Sequence, residues 1–126
     1  MMVKSLVFLL LLSNPAFACW TVTGTAVYTV DGDTADFRIR IWHGLEVLER
    51  VRVLEVNTPE LKGATKAMGE KAKAFTEAWL ARGPVKIDTC ERDAFGRVLG
   101  RIYRDTGESL AADLLKTGNA VPFKRR

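Results

Sequence analysis

Three short blocks hold the residues whose chemistry stands out. The central one is Arg52-Val53-Leu54-Glu55-Val56-Asn57-Thr58-Pro59-Glu60, where a β-rich run ends abruptly. Pro59 lacks a backbone N–H and biases Thr58 toward an extended conformation, so a strand should stop here and leave Glu60 on a fixed loop. A guanidinium and a carboxylate at one strand end suit an anionic substrate with a base beside it. Upstream, Asp31-Gly32-Asp33-Thr34 offers hard carboxylate oxygens in a turn. Downstream, Asp93-Ala94-Phe95-Gly96-Arg97 offers a second arginine and an aromatic ring.

The rest of the chain must position these blocks. Positions 20–30 alternate, with Trp20, Val22, Ala26, Tyr28 and Val30 on one face, as in a half-buried strand. Gly24 is the candidate bulge. Asp31-Gly32 makes a turn, and 35–42 alternates again with Phe37, Ile39 and Ile41 inward. After a turn at His43-Gly44, a third strand over 47–56 changes face partway, as at a barrel corner. Over 67–82 the period becomes helical, with Met68, Ala72, Phe75 and Trp79 on one stripe and Gly83-Pro84 as the stop. The residues 61–66 before it read as a short polar loop. Strands over 85–90 and 97–103 flank the Asp93 turn, and Ser109 caps a last helix that buries Leu110 and Leu114 and ends at Gly118. The order βββ-α-ββ-α predicts an α+β fold: a five-stranded OB-type Greek-key β-barrel, a helix between strands three and four, and a C-terminal helix.

Composition sets the boundaries. The chain has 126 residues and a formal charge of +4, which suits nucleic acid but also many ordinary surfaces. Residues 1–18 read as an export signal: Lys4, an apolar run from Leu6 to Leu12, then Ala16-Phe17-Ala18 before the cleavage point. The run falls well short of the roughly 20 apolar residues that span a bilayer, so no stable membrane span is expected. Residues 19–126 then form one domain, expected as a monomer in the periplasm or outside the cell. Lipid anchoring at Cys19 ranks second, because Ala16 and bulky Phe17 depart from a lipobox. Export permits a disulfide between Cys19 and Cys90, the two cysteines present. Two cysteines and the lone His43 make a poor transition-metal set.

Together the three blocks resemble the signature of the staphylococcal nuclease (thermonuclease) family. The likeness extends to Gly69 and Ala72 on the helix and to Leu114-x-x-x-Gly118-x-Ala120, and so spans about residues 20–121. It implies an OB-fold endonuclease that hydrolyses phosphodiester bonds in DNA and RNA, single-stranded or duplex, with Ca²⁺. Carried over position by position, Arg52 and Arg97 match the phosphate-gripping arginines and Glu60 the general base. Asp33, Asn57 and the Thr58 carbonyl match the metal ligands. Phe95 falls where an aromatic packs on substrate, while Asp31 and Asp93 are expected to be supporting. The chemistry is coherent, because a pentacoordinate phosphate gathers negative charge that forked guanidiniums and a hard cation stabilise.

The chain departs from the family at several points. Asn57 stands where the family has a second ligand aspartate, Ala94 replaces a lysine, and Phe123 follows Ala120 in place of tyrosines. A non-catalytic barrel that binds nucleic acid or protein is therefore the alternative, with a disulfide-stapled secreted structural domain third. Taken singly each residue has a plain explanation: Asp33 as a turn former, Arg52 and Arg97 as surface arginines, Glu60 as a loop carboxylate. It is their combination that points to a nuclease.

Overall fold

The computed structural model describes residues 19–124; the proposed export signal lies outside the described residues. Its longest strand, β1 (Trp20–Asp31), serves two neighbours. Its first residues pair with β5 (Val85–Arg92), from Trp20 opposite Thr89 to Gly24 opposite Val85. From Thr23 onward it pairs with β2 (Thr34–Trp42), ending with Asp31 opposite Thr34. β2 turns into β3 (Leu45–Val53), which runs parallel to β6 (Val98–Tyr103), and β6 returns against β5. The order β1-β2-β3-β6-β5 closes a barrel. A 3-10 turn (Gly63–Thr65) and α1 (Lys66–Leu80) lie between the third and fourth barrel strands, and α2 (Leu110–Lys116) follows the fifth. This is the predicted OB-type architecture.

The expected alternation holds in β2 at Phe37 and Ile39, whereas the apolar face expected for β1 is at most half-buried and Trp20 is exposed. Phe37, Val51, Ile87 and Ile102 fill the barrel, and Leu110 and Leu114 of α2 seal against it. Ser109 caps α2 by accepting from the Ala112 N–H. No helix among the described residues is long and apolar enough to cross a membrane.

Several local expectations change. β1 breaks register with β2 twice, between Ala26 and Tyr28 and between Thr29 and Asp31, and not at Gly24. The extra residue at the first break flips the face, so Tyr28 is exposed and Thr29 is buried. Ile41, expected inward, is exposed with Trp42 and Leu45, because the β2–β3 hairpin overruns the barrel end. Met68 is exposed too; the face of α1 that packs consists of Gly69, Ala72, Thr76, Trp79 and Leu80. The third strand does not continue to Val56. Glu55 takes φ 73°, and the chain restarts as β4 (Val56–Asn57), which pairs with β7 (Val121–Pro122). Two-residue strands carry no periodicity, so the sequence gives no sign of them. Residues 61–66, read as loop, contain the 3-10 turn.

Cys19 and Cys90 form a disulfide that ties the start of β1 to β5 across a sequence separation of 71. Removing a loop closure of that length costs roughly 4 kcal/mol in the chain-entropy description. Cys19→Ser/Cys90→Ser should therefore lower the unfolding free energy in urea by about that amount. A loss below about 1 kcal/mol would show that the unfolded chain gains little from release.

Candidate active site

The β1–β2 turn is built around Asp33, whose side chain is almost wholly buried. Its Oδ1 accepts from the Thr34 hydroxyl at 3.0 Å, and its Oδ2 accepts from the Thr58 N–H at 3.0 Å. Arg52 Nη1 lies 3.4 Å from the same Oδ2. One carboxylate thus links the first two sequence blocks. Asp31 tightens the turn by accepting from the Asp33 N–H. Burial and the adjacent Asp33 carboxyl push the Asp31 carboxyl up to about 6. Burial works the same way on Asp33, but hydrogen bonds from Asp31 and the Thr58 N–H, with Arg52 and Thr34, outweigh it and hold Asp33 below the usual carboxylate range.

Helix α1 fixes the backbone of both blocks. The Thr76 hydroxyl donates to the Gly32 carbonyl at 2.6 Å in the interior. A Cβ on Gly32 would stand 2.7 Å from the Thr58 methyl and 2.8 Å from Ala72 Cβ. A Cβ on Gly69 would stand 2.5 Å from the Glu60 carbonyl oxygen. Only glycine allows either approach. The Glu60 carbonyl also accepts from the Thr65 hydroxyl at 2.9 Å. The Glu60 side chain itself is 72 % exposed, with Lys62 Nζ at 3.8 Å.

The two arginines are held differently. Arg52 donates through Nη1 to the Val53 carbonyl at 2.7 Å and through Nη2 to Asn57 Oδ1, and its guanidinium lies 6.0 Å from the Phe123 ring. The β4–β7 pair delivers both Asn57 and Phe123, and the Phe123 N–H donates to the Glu55 carbonyl. Arg97 is held by Asp93, whose Oδ2 accepts from Nε at 2.7 Å while its Oδ1 accepts from the N–H groups of Phe95 and Arg97. Burial opposes ionisation of Asp93, but these bonds keep it below the usual range. Arg97 sits 5.5 Å from the Phe95 ring, which is 85 % exposed. Its two terminal nitrogens have no hydrogen-bond partner among the described residues.

These groups line one open cleft of about 790 Å³. Asp33, Arg52, Asn57, Thr58, Glu60, Phe95 and Arg97 all contribute to it, as do Asp31 and Asp93. The structure thus brings every named site residue to one place, whatever the role of each. Phe123 and Thr65 line it as well. The sequence offered Phe123 only as a departure, and a threonine in a polar loop gives no signal. Thr76 was hidden by its polarity on a helix read as having an apolar stripe. His43 is exposed at the hairpin tip, edge-on to Trp42, and takes no part. Trp79 is core, donating to Asp113 Oδ2 and stacked under Arg104.

A closed five-stranded barrel with arginines, carboxylates and aromatics converging at one rim defines an OB-type domain with a charged cleft. The sequence model described as "Staphylococcal nuclease homologue" matches residues 50–126, more than half of the chain. The chain belongs to that family. It is 29 % identical over 120 residues to the succinoglycan biosynthesis protein ExoI of Rhizobium meliloti (strain 1021), covering 89 % of this chain and 58 % of the relative. Protein ParB of Escherichia coli is 30 % identical over 94 residues, 75 % of this chain and 48 % of the relative. An Escherichia coli protein named as an uncharacterized endonuclease is 24 % identical over 107 residues, 85 % and 65 % respectively. The chain spans about half to two thirds of the length of these relatives.

The dependence of the cleft on α1 can be tested without any ligand. Thr76→Val leaves the buried Gly32 carbonyl unsatisfied and should cost about 1–3 kcal/mol in urea unfolding. Gly69→Ala should cost a similar amount by overpacking and displace the Pro59–Glu60 backbone in a crystal structure. An unmoved loop would show that α1 shifts instead.

Proposed function

We propose that the protein is an exported, Ca²⁺-dependent nuclease that hydrolyses phosphodiester bonds of DNA and RNA with little sequence discrimination. One observation carries this reading: three blocks far apart in sequence deliver Asp33, Arg52 with Glu60, and Arg97 to a single cleft. The family membership supports the reaction class. Groups that grip phosphate do not read base edges, which accounts for the weak discrimination.

The donor set fits a hard cation. The cleft offers carboxylate, amide and main-chain oxygens and, among its lining residues, no thiol or imidazole. Asp33, Asn57 and the Thr58 carbonyl would hold Ca²⁺, whose role when bound is to polarise the phosphate. Arg97 presents its terminal nitrogens to an equatorial oxygen. Arg52 must exchange its bond to Asn57 or to the Val53 carbonyl to do the same. Glu60, exposed and lightly paired, accepts the proton of the attacking water as the water oxygen bonds to phosphorus. The P–O5′ bond breaks in line, with the leaving oxygen taking a proton from solvent.

The disulfide supports export to an oxidising compartment, periplasmic or extracellular. It also occupies the Cys19 sulfur that a lipid anchor would need. A monomer suffices for the cleft described, since all its lining residues come from one chain. A second reading, a barrel that binds nucleic acid without cutting it, is favoured by one specific observation. Arg52 is already occupied by a neutral amide where the family has a carboxylate.

Cleavage of single-stranded and duplex DNA with Ca²⁺, with Mg²⁺ and with EDTA separates the two. Ca²⁺-dependent cleavage is expected, with EDTA abolishing it. Arg52→Ala, Glu60→Ala and Arg97→Ala should each lower turnover by about 10²-fold or more, and Glu60→Ala, at an exposed side chain, should melt close to the parent. Metal-independent DNA binding with no cleavage would favour the second reading. Separately, Asn57→Asp adds the missing charge and should tighten Ca²⁺ binding in calorimetry. An unchanged affinity would place Asn57 outside the metal shell.

A further inference from the structure

The outer face of β1, β2 and β3 carries a feature the cleft does not use. Cross-strand partners share a face, and the register gives successive outward rows. Arg52 lies opposite Thr34 at the cleft end. The next rows are Tyr28, Asp36 and Arg50, then Thr25, Arg38 and Leu48, then Thr23, Arg40 and Glu46. β5 extends the last row with Lys86 opposite Thr23. Cations therefore recur from the cleft toward the hairpin tip. Asp36 and Glu46 pair with Arg50 and Arg38, whose side chains stay 49 % and 53 % exposed, so those pairs exchange readily with other anions. Arg40 has no side-chain partner among the described residues, and Lys86 Nζ meets only the Thr23 hydroxyl at 3.2 Å. Exposed apolar side chains interleave with the cations: Tyr28 at 58 %, Leu48 at 69 % and Trp42 at the tip at 70 %.

We propose that this face is a binding track for a single strand of nucleic acid leaving the cleft, gripped by Arg50, Arg38, Arg40 and Lys86. The inference rests on the nuclease reading and deepens it. Its charge complements a polyanion, and it is continuous with the cleft through Arg52. Rows two residues apart are about 7 Å apart, roughly the rise of two stacked nucleotides, so each row meets every second phosphate. From the Thr34 row to the Arg40 row is about 20 Å, the span of roughly six nucleotides. The exposed rings favour unpaired bases, whose faces are open for stacking. The face of strands two and three is also where OB barrels in general receive oligonucleotides.

The test uses Arg40→Gln/Lys86→Gln, which removes two cations that have no acidic partner. Labelled single-stranded DNAs of roughly 4 and roughly 12 nucleotides bracket the track, and binding is read by fluorescence anisotropy in EDTA over a salt series. The long strand should bind the variant about tenfold more weakly relative to the short one. The slope of log affinity against log salt should fall by about 1.4 for the long strand. Arg82→Gln/Lys116→Gln, with the same charge loss just beyond α1 and at the end of α2, should leave that slope as in the parent. An unchanged long-to-short ratio in a parent that binds the short strand and cuts DNA overturns the track alone. A parent that binds neither strand in EDTA overturns the track, and if it also fails to cut DNA with Ca²⁺ it overturns the nuclease reading as well. Loss of binding to phosphatidylglycerol vesicles, with oligonucleotide binding intact, would assign the face to a lipid surface and overturn the proposal.

Discussion

The cleft depends on how closely α1 approaches the backbone of two loops. Gly69 lies against the Glu60 carbonyl, Ala72 against the Gly32 turn, and Thr76 donates to the Gly32 carbonyl. A larger residue at any of these positions would hold the helix away and open the gap between the Asp33 turn and the Thr58 segment. The hydrogen bond from the Thr58 N–H to Asp33 is the cross-tie this proximity makes possible. Burial matters here as well, because in a low-dielectric interior an unmade bond at Gly32 or Thr58 is costly. The geometry of the acidic turn is therefore set by a helix that contributes no charged group to the site.

Rigidity within the cleft is graded. Asp33 has both oxygens bonded and is buried. Arg52 is held at both terminal nitrogens, Arg97 through Nε and beside the Phe95 ring, and Glu60 is largely exposed. Groups that would position a cation are thus fixed by the fold. The group that would handle a proton keeps rotamer freedom until a substrate arrives. This ordering follows from attachment. Arg52 sits on a barrel strand, Asp33 lies in the tight turn between two of them, Arg97 follows the Asp93 turn, and Glu60 lies beyond the last strand residue of its segment.

Much of this was legible in the sequence, and what was not has identifiable causes. Alternation and helical period located the barrel strands and both helices because burial acts on one face of each. The three charged blocks stood out because turn formation alone does not call for two arginines and a Pro-Glu pair. The bulge at Val27 was misplaced to Gly24 because a glycine signals a bend, whereas the register is decided by pairing with β2. Met68 was read as buried from spacing alone. The true packing face, with Gly69 and Thr76, is chosen by what must fit beneath it. β4 and β7 are too short to pattern, so the delivery of Phe123 to the cleft could not be read. Ile41 alternates correctly but lies past the end of the core.

The single parallel pairing in the barrel also has a kinetic side. Arg52 lies opposite Leu99 in that ladder, so the strand bearing one arginine and the strand just after the other meet only when Val51 finds Val98. Such a contact repays its loop-closure entropy late, after the local β1–β2–β3 meander and α1 have had every chance to form. The chain can therefore hold most of its secondary structure while its two arginines remain apart. The approach of Arg52 to Arg97 would then report barrel closure more faithfully than a spectroscopic measure of strand or helix content.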